Sequence, residues 1–178
     1  MTARATALAL LATALLAGCG ASPNKHVPPK APPAVGTSLF VNTDVGIALR
    51  YPVGWQVQKL TKKTFLFAGG PNTTCRVDVG PGSARAQRDP LFQLRSLLRP
   101  VLSAGSDRKL ISSVEPLTTG RTSGSTAVYR VGPNDVRAGF FANRRIRVIV
   151  NCVQATASFR PLDRRAFVPL VRTVTLSP

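Results

Sequence analysis

The sequence has few residues that carry acid–base or metal chemistry: one histidine, seven acids and three cysteines among 178 residues. The only histidine, His26, stands in a proline-rich stretch, so serine and cysteine triads lack a base in the rest of the chain. Zinc sites need several histidine or cysteine ligands, which this sequence does not supply. No two acids are close in sequence, so none suggests a glycosidase pair: Asp44, Asp78, Asp89, Asp107, Glu115, Asp135 and Asp163.

Phosphate-binding loops are missing as well, because the glycine-containing stretches GGPNTTC and GPGSAR match no such pattern. These shortages argue against the common hydrolases and predict a protein that uses no metal or cofactor. A serine–lysine pair built on Lys109 is the enzymatic alternative that stays open.

The longest apolar run is too short to span a membrane. It covers Ala5–Gly18, 14 residues, whereas a spanning helix needs about 20. It follows the charged start Met1–Arg4, which is typical of a secretory signal peptide. The run closes with Leu16-Ala17-Gly18-Cys19, which resembles the bacterial lipobox. This resemblance implies that residues 1–18 are removed and that Cys19 carries a diacylglycerol, a stable membrane anchor.

The expected location of the protein is therefore the outer face of the cell membrane. An aspartate directly after the lipidated cysteine would retain the protein at the inner membrane, and this sequence has Gly20 there. In an organism with two membranes, the outer membrane is therefore the alternative location. Residues 19–36 carry five prolines and two lysines with little to bury, which predicts an extended linker. In polyproline II geometry, the 17 residues after Cys19 reach on the order of 50 Å. Residues 37–178 are then one domain.

Positive charge dominates the composition, with 24 lysines and arginines against seven acids and a net charge of +17. Such a surface attracts polyanions. Because export separates the chain from nucleic acid, the expected partners are an anionic cell-wall polymer, an anionic lipid or an envelope protein. The alternative is codon usage in a GC-rich genome, since arginine outnumbers lysine 18 to 6. The candidate polyanion contacts are Lys62, Lys63, Arg108, Lys109, Arg144, Arg145 and Arg147, and their gathering on one face would favour a specific site.

Two cysteines remain after Cys19, namely Cys75 and Cys152, and both lie in strand-like runs. In an exported protein this even number predicts one disulfide, with a pair of buried thiols as the alternative. Closing so long a loop stabilises the fold by about 4 kcal/mol in the chain-entropy model.

Apolar periodicity predicts the elements of the domain. Period-2 alternation predicts paired strands across SLFVNTDVGIALRYP, and further strands in TFLFAGG, CRVDVGPG, KLISSVEPL, STAVYRVG, VRAGFFAN and RRIRVIVNCVQATAS. Asp89 and Pro90 begin a helix that Pro100 should end or bend. A second, short helix is expected from Leu162 to Arg172, with Asp163 near its start and a kink at Pro169. The order predicts an α+β fold, a mostly antiparallel sheet packed with two helices.

One segment carries a family resemblance. The run Asp44-x-Gly46-Ile47-x-Leu49-x-Tyr51-Pro52-x-Gly54-Trp55 resembles the signature of the PsbP-like domain superfamily, and the final helix and Thr-Val-Thr strand are similar to its ending. Actinobacterial lipoproteins of the LpqN type share this architecture. The resemblance implies the fold and a structural role for Tyr51, Pro52, Gly54 and Trp55, and it brings no catalytic residue.

The function expected from these features is a membrane-anchored, non-catalytic binding or assembly module of the cell envelope. The alternatives are a carrier that holds an apolar or lipid ligand in a cavity, and an envelope hydrolase.

Overall fold

The computed structural model describes residues 36–120 and 122–178. The leader, Cys19 and the linker up to residue 35 lie outside the described residues, so the lipid anchor stays a prediction. Among the described helices, none has the length and apolar character needed to cross a membrane.

A small antiparallel sheet opens and closes the domain. Its strands are β1 (Thr37–Asn42), β2 (Ile47–Pro52) and β11 (Thr175–Leu176), with β2 in the centre. A turn precedes Ile47, and Pro52 ends the second strand. Gly46 has a φ of +70° in this turn, a conformation that favours glycine.

The remaining eight strands form the large sheet, in which all pairs are antiparallel. Its order is β3–β4–β5–β10–β9–β8–β6, and β7 also pairs with β8. The strand bounds are β3 Gln56–Thr61, β4 Thr64–Gly70, β5 Thr73–Pro81, β6 Arg108–Leu110, β7 Glu115–Thr119, β8 Thr122–Val131, β9 Asn134–Ala142 and β10 Ile146–Ala155.

The stretch KLISSVEPL, predicted as one strand, is two. The backbone N–H groups of Ile111 and Ser112 both donate to the carbonyl of Val128, at 2.8 and 3.0 Å. Two residues therefore face one on β8, which interrupts the pairing between β6 and β7.

Two short helices cover one face of the large sheet: α1 (Ala84–Arg88) and α2 (Pro90–Ser103). The Asp89 carboxylate accepts from Phe92 N–H at 2.9 Å and caps α2, as predicted. Pro100 does not end the helix, because α2 continues to Ser103. Pro100 and Ser96 are exposed, so water can bind the Ser96 carbonyl that the proline leaves without a donor.

The C-terminal helical segment covers the other face together with the small sheet. It consists of α3 (Thr156–Leu162), a π-helical turn (Asp163–Phe167) and α4 (Val168–Arg172). The segment begins six residues before the predicted start, so Asp163 lies in its middle rather than near its beginning. The segment follows β10 directly, and Thr156 N–H donates to the Pro133 carbonyl at 2.9 Å. Asp163 is buried and pairs with an arginine of β9.

Each face of the large sheet has its own apolar core. The core under α1 and α2 contains Ala86, Leu94, Leu98, Ala127, Tyr129, Val136, Ala138, Phe140 and Ala142. The larger core, under the small sheet and the C-terminal helical segment, includes Ile47, Leu49, Phe65, Phe67, Val77, Phe141, Val148, Val150, Phe159, Phe167, Leu170 and Val171. The architecture is thus α+β and mostly antiparallel, as the sequence predicts.

Candidate functional site

Two of the three predicted basic clusters lie at the same end of the large sheet. Lys62 and Lys63 form the β3–β4 turn, and the Lys63 carbonyl accepts from Val79 N–H on β5 at 2.8 Å. Val79 lies opposite Val148 on β10, next to Arg147. Strands are about 4.8 Å apart, so β4 and β10 are about 10 Å apart. We call the exposed side chains brought together here the cationic end: Lys62, Lys63, Arg144, Arg145 and Arg147.

The β9–β10 turn holds its arginines on a fixed backbone. The Asn143 side-chain carbonyl accepts from the N–H groups of Arg145 and Ile146, at 2.8 and 2.7 Å. Its amide donates to the Ser177 carbonyl at 2.7 Å, which joins the turn to the chain end. Gly82 N–H donates to the Arg145 carbonyl at 2.8 Å. This polar framework presents Arg144 and Arg145 to solvent while their backbone stays in place.

The third predicted cluster lies elsewhere. Arg108 and Lys109 belong to β6, and Arg108 lies opposite Val131, at the far end of the sheet. The Arg108 guanidinium donates to the Val101 carbonyl at 3.1 Å, near the C-terminus of α2, where positive charge is favourable. Arg108 thus has a structural partner, and this pair is not part of the cationic end.

Most acidic residues of the domain form ion pairs or cap a helix. Asp89 caps α2. Four other acids pair with arginines: the pairs are Arg76–Asp78, Arg108–Asp107, Arg130–Asp135 and Arg137–Asp163. The two others are Glu115 at the start of β7 and Asp44 in the β1–β2 turn. That turn reaches the cationic end through Gly46, which packs against Ile146. That turn therefore brings the exposed carboxylate of Asp44 near the cationic end.

The best-buried carboxylate is held ionised. Arg130 donates to both oxygens of Asp135, at 2.6 and 3.1 Å, and Thr156 donates to one of them at 3.2 Å. The hydrogen bonds from Arg130, aided by Thr156 and opposed by burial, hold the pKa of Asp135 below its ordinary value. A carboxyl that acts as a general acid needs a raised pKa, so Asp135 is not suited to that role.

Two small cavities flank the Arg137–Asp163 pair. One, of about 140 Å³, is lined by Glu115, Arg137 and Arg172 among others. The other, of about 230 Å³, is lined by Asp135, Asp163 and Arg164 among others. Arginines hold both buried carboxylates in the second cavity, so neither is placed to transfer a proton. Within residues 36–120 and 122–178 no histidine, cysteine and acid group is arranged to hold a metal ion.

The predicted disulfide is present. Cys75 on β5 and Cys152 on β10 are direct cross-strand partners, with their Cα atoms 3.9 Å apart, and both side chains are fully buried. Neither sulfur is available as a nucleophile, which removes cysteine catalysis from the described residues.

The Tyr-Pro-x-Gly-Trp element packs into the larger core. Gly54 has a φ of +86° in the turn between β2 and β3. The half-buried Trp55 ring meets Phe167 edge-on, with centroids 6.2 Å apart, and Tyr51 packs on Phe67 at 5.3 Å. The geometry of this element is that of a turn and a core contact.

Sequence reasoning missed the helix α1, which contributes to a second basic surface. Ser83 caps α1 by accepting from Ala86 N–H at 3.1 Å, and α1 carries Arg85 and Arg88 beside the arginines of α2. The capping serine followed by ARAQR was the local signal for this helix.

Comparison with known proteins shows the fold. No protein-family model matches the sequence, and neither does any curated protein. Among solved structures, the solution structure of cyanobacterial PsbP (CyanoP) from Synechocystis sp. PCC 6803 matches with a TM-score of 0.59 and 15% identity. The match covers 90% of this chain and 98% of that one. A crystal structure from Bacteroides thetaiotaomicron VPI-5482 matches at a TM-score of 0.44 and 13% identity, over 79% of this chain and 48% of the other.

The chain therefore has a PsbP-like fold, as the first of these matches shows. At 15% identity that match carries the fold alone, and a fold does not define a function.

Proposed function

We propose that this chain is an exported lipoprotein of the actinobacterial type, anchored through Cys19 to the outer face of the cell membrane. Its PsbP-like domain is a non-catalytic binding or assembly module of the cell envelope. It binds an anionic envelope ligand at the cationic end, where Lys62, Lys63 and the arginines of the β9–β10 turn meet. The lipobox-like Leu16–Cys19 and the proline-rich linker support the anchor.

One observation carries the binding site: residues 81 positions apart in sequence, Lys63 and Arg144, come to one end of the sheet. Codon usage alone scatters basic residues without regard to strand register. Convergence of five exposed cations on a fixed backbone creates a positive potential that extends about a Debye length, 8 Å at physiological salt.

The non-catalytic assignment rests on what the acids and cysteines do. The buried carboxylates of Asp135 and Asp163 are neutralised by arginines, and the domain cysteines are joined. Each of these groups stabilises the fold, and a hydrolase that used one of them would need that group exposed to substrate. A serine–lysine pair built on Lys109 is the enzymatic alternative to this assignment.

The test of the binding site is a charge-matched comparison on the full chain, produced in a bacterium that lipidates and solubilised in detergent. Binding to isolated anionic wall polymer and to whole envelope fractions is measured across a salt series. Arg144→Gln, Arg145→Gln and Arg147→Gln together should weaken binding about tenfold, since each exposed cation contributes a fraction of a kcal/mol up to about 1.

The control removes the same charge from the C-terminal helical segment, by Arg160→Gln, Arg164→Gln and Arg165→Gln, all exposed. Equal losses in both triple variants would show that only net charge matters and would overturn the site. The anchor is tested separately: mass spectrometry of the N-terminal peptide should find a diacylglycerol on Cys19, and Cys19→Ala should release the protein from membranes.

A further inference from the structure

The outer side of the α1–α2 layer carries arginines along its whole length. Ala86, Leu94 and Leu98 face the sheet, while four arginines are exposed. Two come from α1 and two from α2: Arg85, Arg88, Arg95 and Arg99. We call these four side chains, with the exposed apolar residues among them, the helical face.

No carboxylate within the two helices offsets this charge. The acid between them, Asp89, accepts from Phe92 N–H at 2.9 Å and so belongs to the cap of α2. The next acid in sequence, Asp107, follows α2 and lies 3.9 Å from Arg108. The helical face therefore keeps a net positive charge.

Large apolar side chains are exposed among these arginines. Phe92 is 46% exposed, Leu97 37% and Leu110 of the adjacent β6 43%. The Arg85 guanidinium lies over the Phe92 ring, 5.4 Å from its centroid. An open groove of about 330 Å³ runs beside them, with Arg95 and Arg99 at its rim and an apolar lining that includes Leu98, Leu102, Leu110 and Val114.

The helical face is continuous with the cationic end. Gln87 of α1 lines the same open cavity, of about 390 Å³, as Asn143, Arg144 and Arg145 of the β9–β10 turn. A single positively charged surface thus extends from the end of the large sheet along both helices. Apolar groups occur on its helical part.

We propose that the helical face docks onto the surface of an anionic phospholipid bilayer. A soluble polyanion needs cations and gains little from exposed phenylalanine and leucine, whereas a bilayer interface accommodates both. The arginines contact phosphate groups, and Phe92 and Leu97 enter the boundary between headgroups and acyl chains. The groove is open to solvent and shallow, which suits part of a lipid at a membrane surface rather than an enclosed ligand.

This inference rests on the proposed function only for the anchor, which brings the domain close to a bilayer. Each arginine near an anionic surface favours contact with it about fivefold, so Arg95→Gln with Arg99→Gln should lower the ratio of docked to undocked domain roughly 25-fold. The same change at Arg164 and Arg165, on the opposite side of the large sheet, is the matched control.

The experiment uses the full lipidated chain on vesicles of phosphatidylcholine and on an equal mixture of phosphatidylcholine and phosphatidylglycerol. Ser96→Cys places a single reactive thiol on the exposed side of α2, because the other cysteines are joined or lipidated. Ala157→Cys, exposed on α3, is the reference site on the opposite layer. A spin label at each site reports contact with the bilayer through collisions with a lipid-bound relaxation agent.

We expect the Ser96 label to contact the bilayer on phosphatidylglycerol vesicles and the Ala157 label to remain in water. Phe92→Ser and the Arg95–Arg99 double variant should each reduce that contact, and the Arg164–Arg165 variant should not. Retention on both vesicle types with neither label in contact would establish the anchor and overturn the docking face. Binding to anionic vesicles alone, with the Ser96 label in contact, would support the face and contradict the anchor.

Failure to bind either vesicle type would overturn both the lipid anchor and the docking face. Equal contact of both labels on anionic vesicles would mean that charge attracts the domain without a preferred orientation, which also contradicts a docking face. Binding to soluble wall polymer that is lost in the Phe92→Ser variant would assign the face to a polymer instead.

Discussion

Arg137 on β9 and Asp163 in the C-terminal helical segment form a two-point ion pair. Arg137 Nη2 donates to Asp163 Oδ2 at 2.7 Å, Nε donates to the other oxygen, and Nη1 donates to Thr126 Oγ1 at 3.1 Å. The two side chains are only 15% and 12% exposed. This pair fastens the helical segment to the large sheet at its π-helical turn.

Asp163→Asn should therefore destabilise the domain strongly. Removing one charge of a largely buried pair leaves the other uncompensated, which costs about 3 kcal/mol. Urea unfolding measures the loss, and Arg165→Gln in the same turn, which is exposed, is the control. A change in Asp163→Asn no larger than in Arg165→Gln would show that the pair contributes little.

The stability of the domain should fall in acid through Asp135. Its folded pKa is lowered by Arg130, so ionised Asp135 stabilises the fold at pH values above the unfolded pKa. That contribution is lost as the pH falls through the folded pKa. Urea unfolding at a series of pH values should show a shallower acid decline in Asp135→Asn, which starts from a lower stability at neutral pH. Parallel curves for the two proteins would contradict the assignment.

The Cys75–Cys152 disulfide should contribute substantially to equilibrium stability. The bridge spans 77 residues, and the chain-entropy model predicts about 4 kcal/mol. We expect Cys75→Ala with Cys152→Ala to lower the free energy of unfolding, measured with urea under oxidising conditions, by a comparable amount. A reducing agent should destabilise the parent chain and leave the double variant unchanged, and sensitivity of the variant would point to a different cause.

Gly69 should be required for the position of Trp55. A Cβ atom added at Gly69 would lie 2.3 Å from the Trp55 indole, so the ring must move. Gly69→Ala should destabilise the domain by about 2 kcal/mol, as overpacking does, and shift the emission of Trp55, the one tryptophan of the chain.

The control for this prediction is Gly36→Ala, where the nearest atom, of Val53, is 3.5 Å away. That distance is an ordinary contact, so emission and stability should remain near those of the parent chain. An unchanged emission in Gly69→Ala would show that the Trp55 ring keeps its environment and would contradict the prediction.

Local elements were largely predictable. The cap at Asp89 depends on residues within a few positions of each other, and the structure confirms it. The disulfide was predictable because the domain has only two cysteines. Errors arose at Pro100, which does not end α2, and at the start of the C-terminal helical segment, which follows β10 directly.

The candidate surfaces were predictable only in part. The sequence shows the basic clusters, and it leaves open which of them share a face, since that depends on register. Lys63 joins Arg147 because β5 lies between β4 and β10, whereas Arg108 is carried to the far end by its pairing with β8. The exposure of Phe92 likewise follows from which side of α2 packs on the sheet.

Composition and local pattern by themselves determined the class of fold, the shortage of catalytic groups, the sites of caps and turns, and the partners of the single disulfide. These properties depend on residue chemistry and on short-range geometry, which the order of amino acids carries directly. Only the tertiary structure decided that Arg137 meets Asp163, that two basic clusters share one end of the sheet, and that the arginines of α1 and α2 continue that surface. Such meetings depend on strand order and register, which the packing of both cores selects over the whole chain.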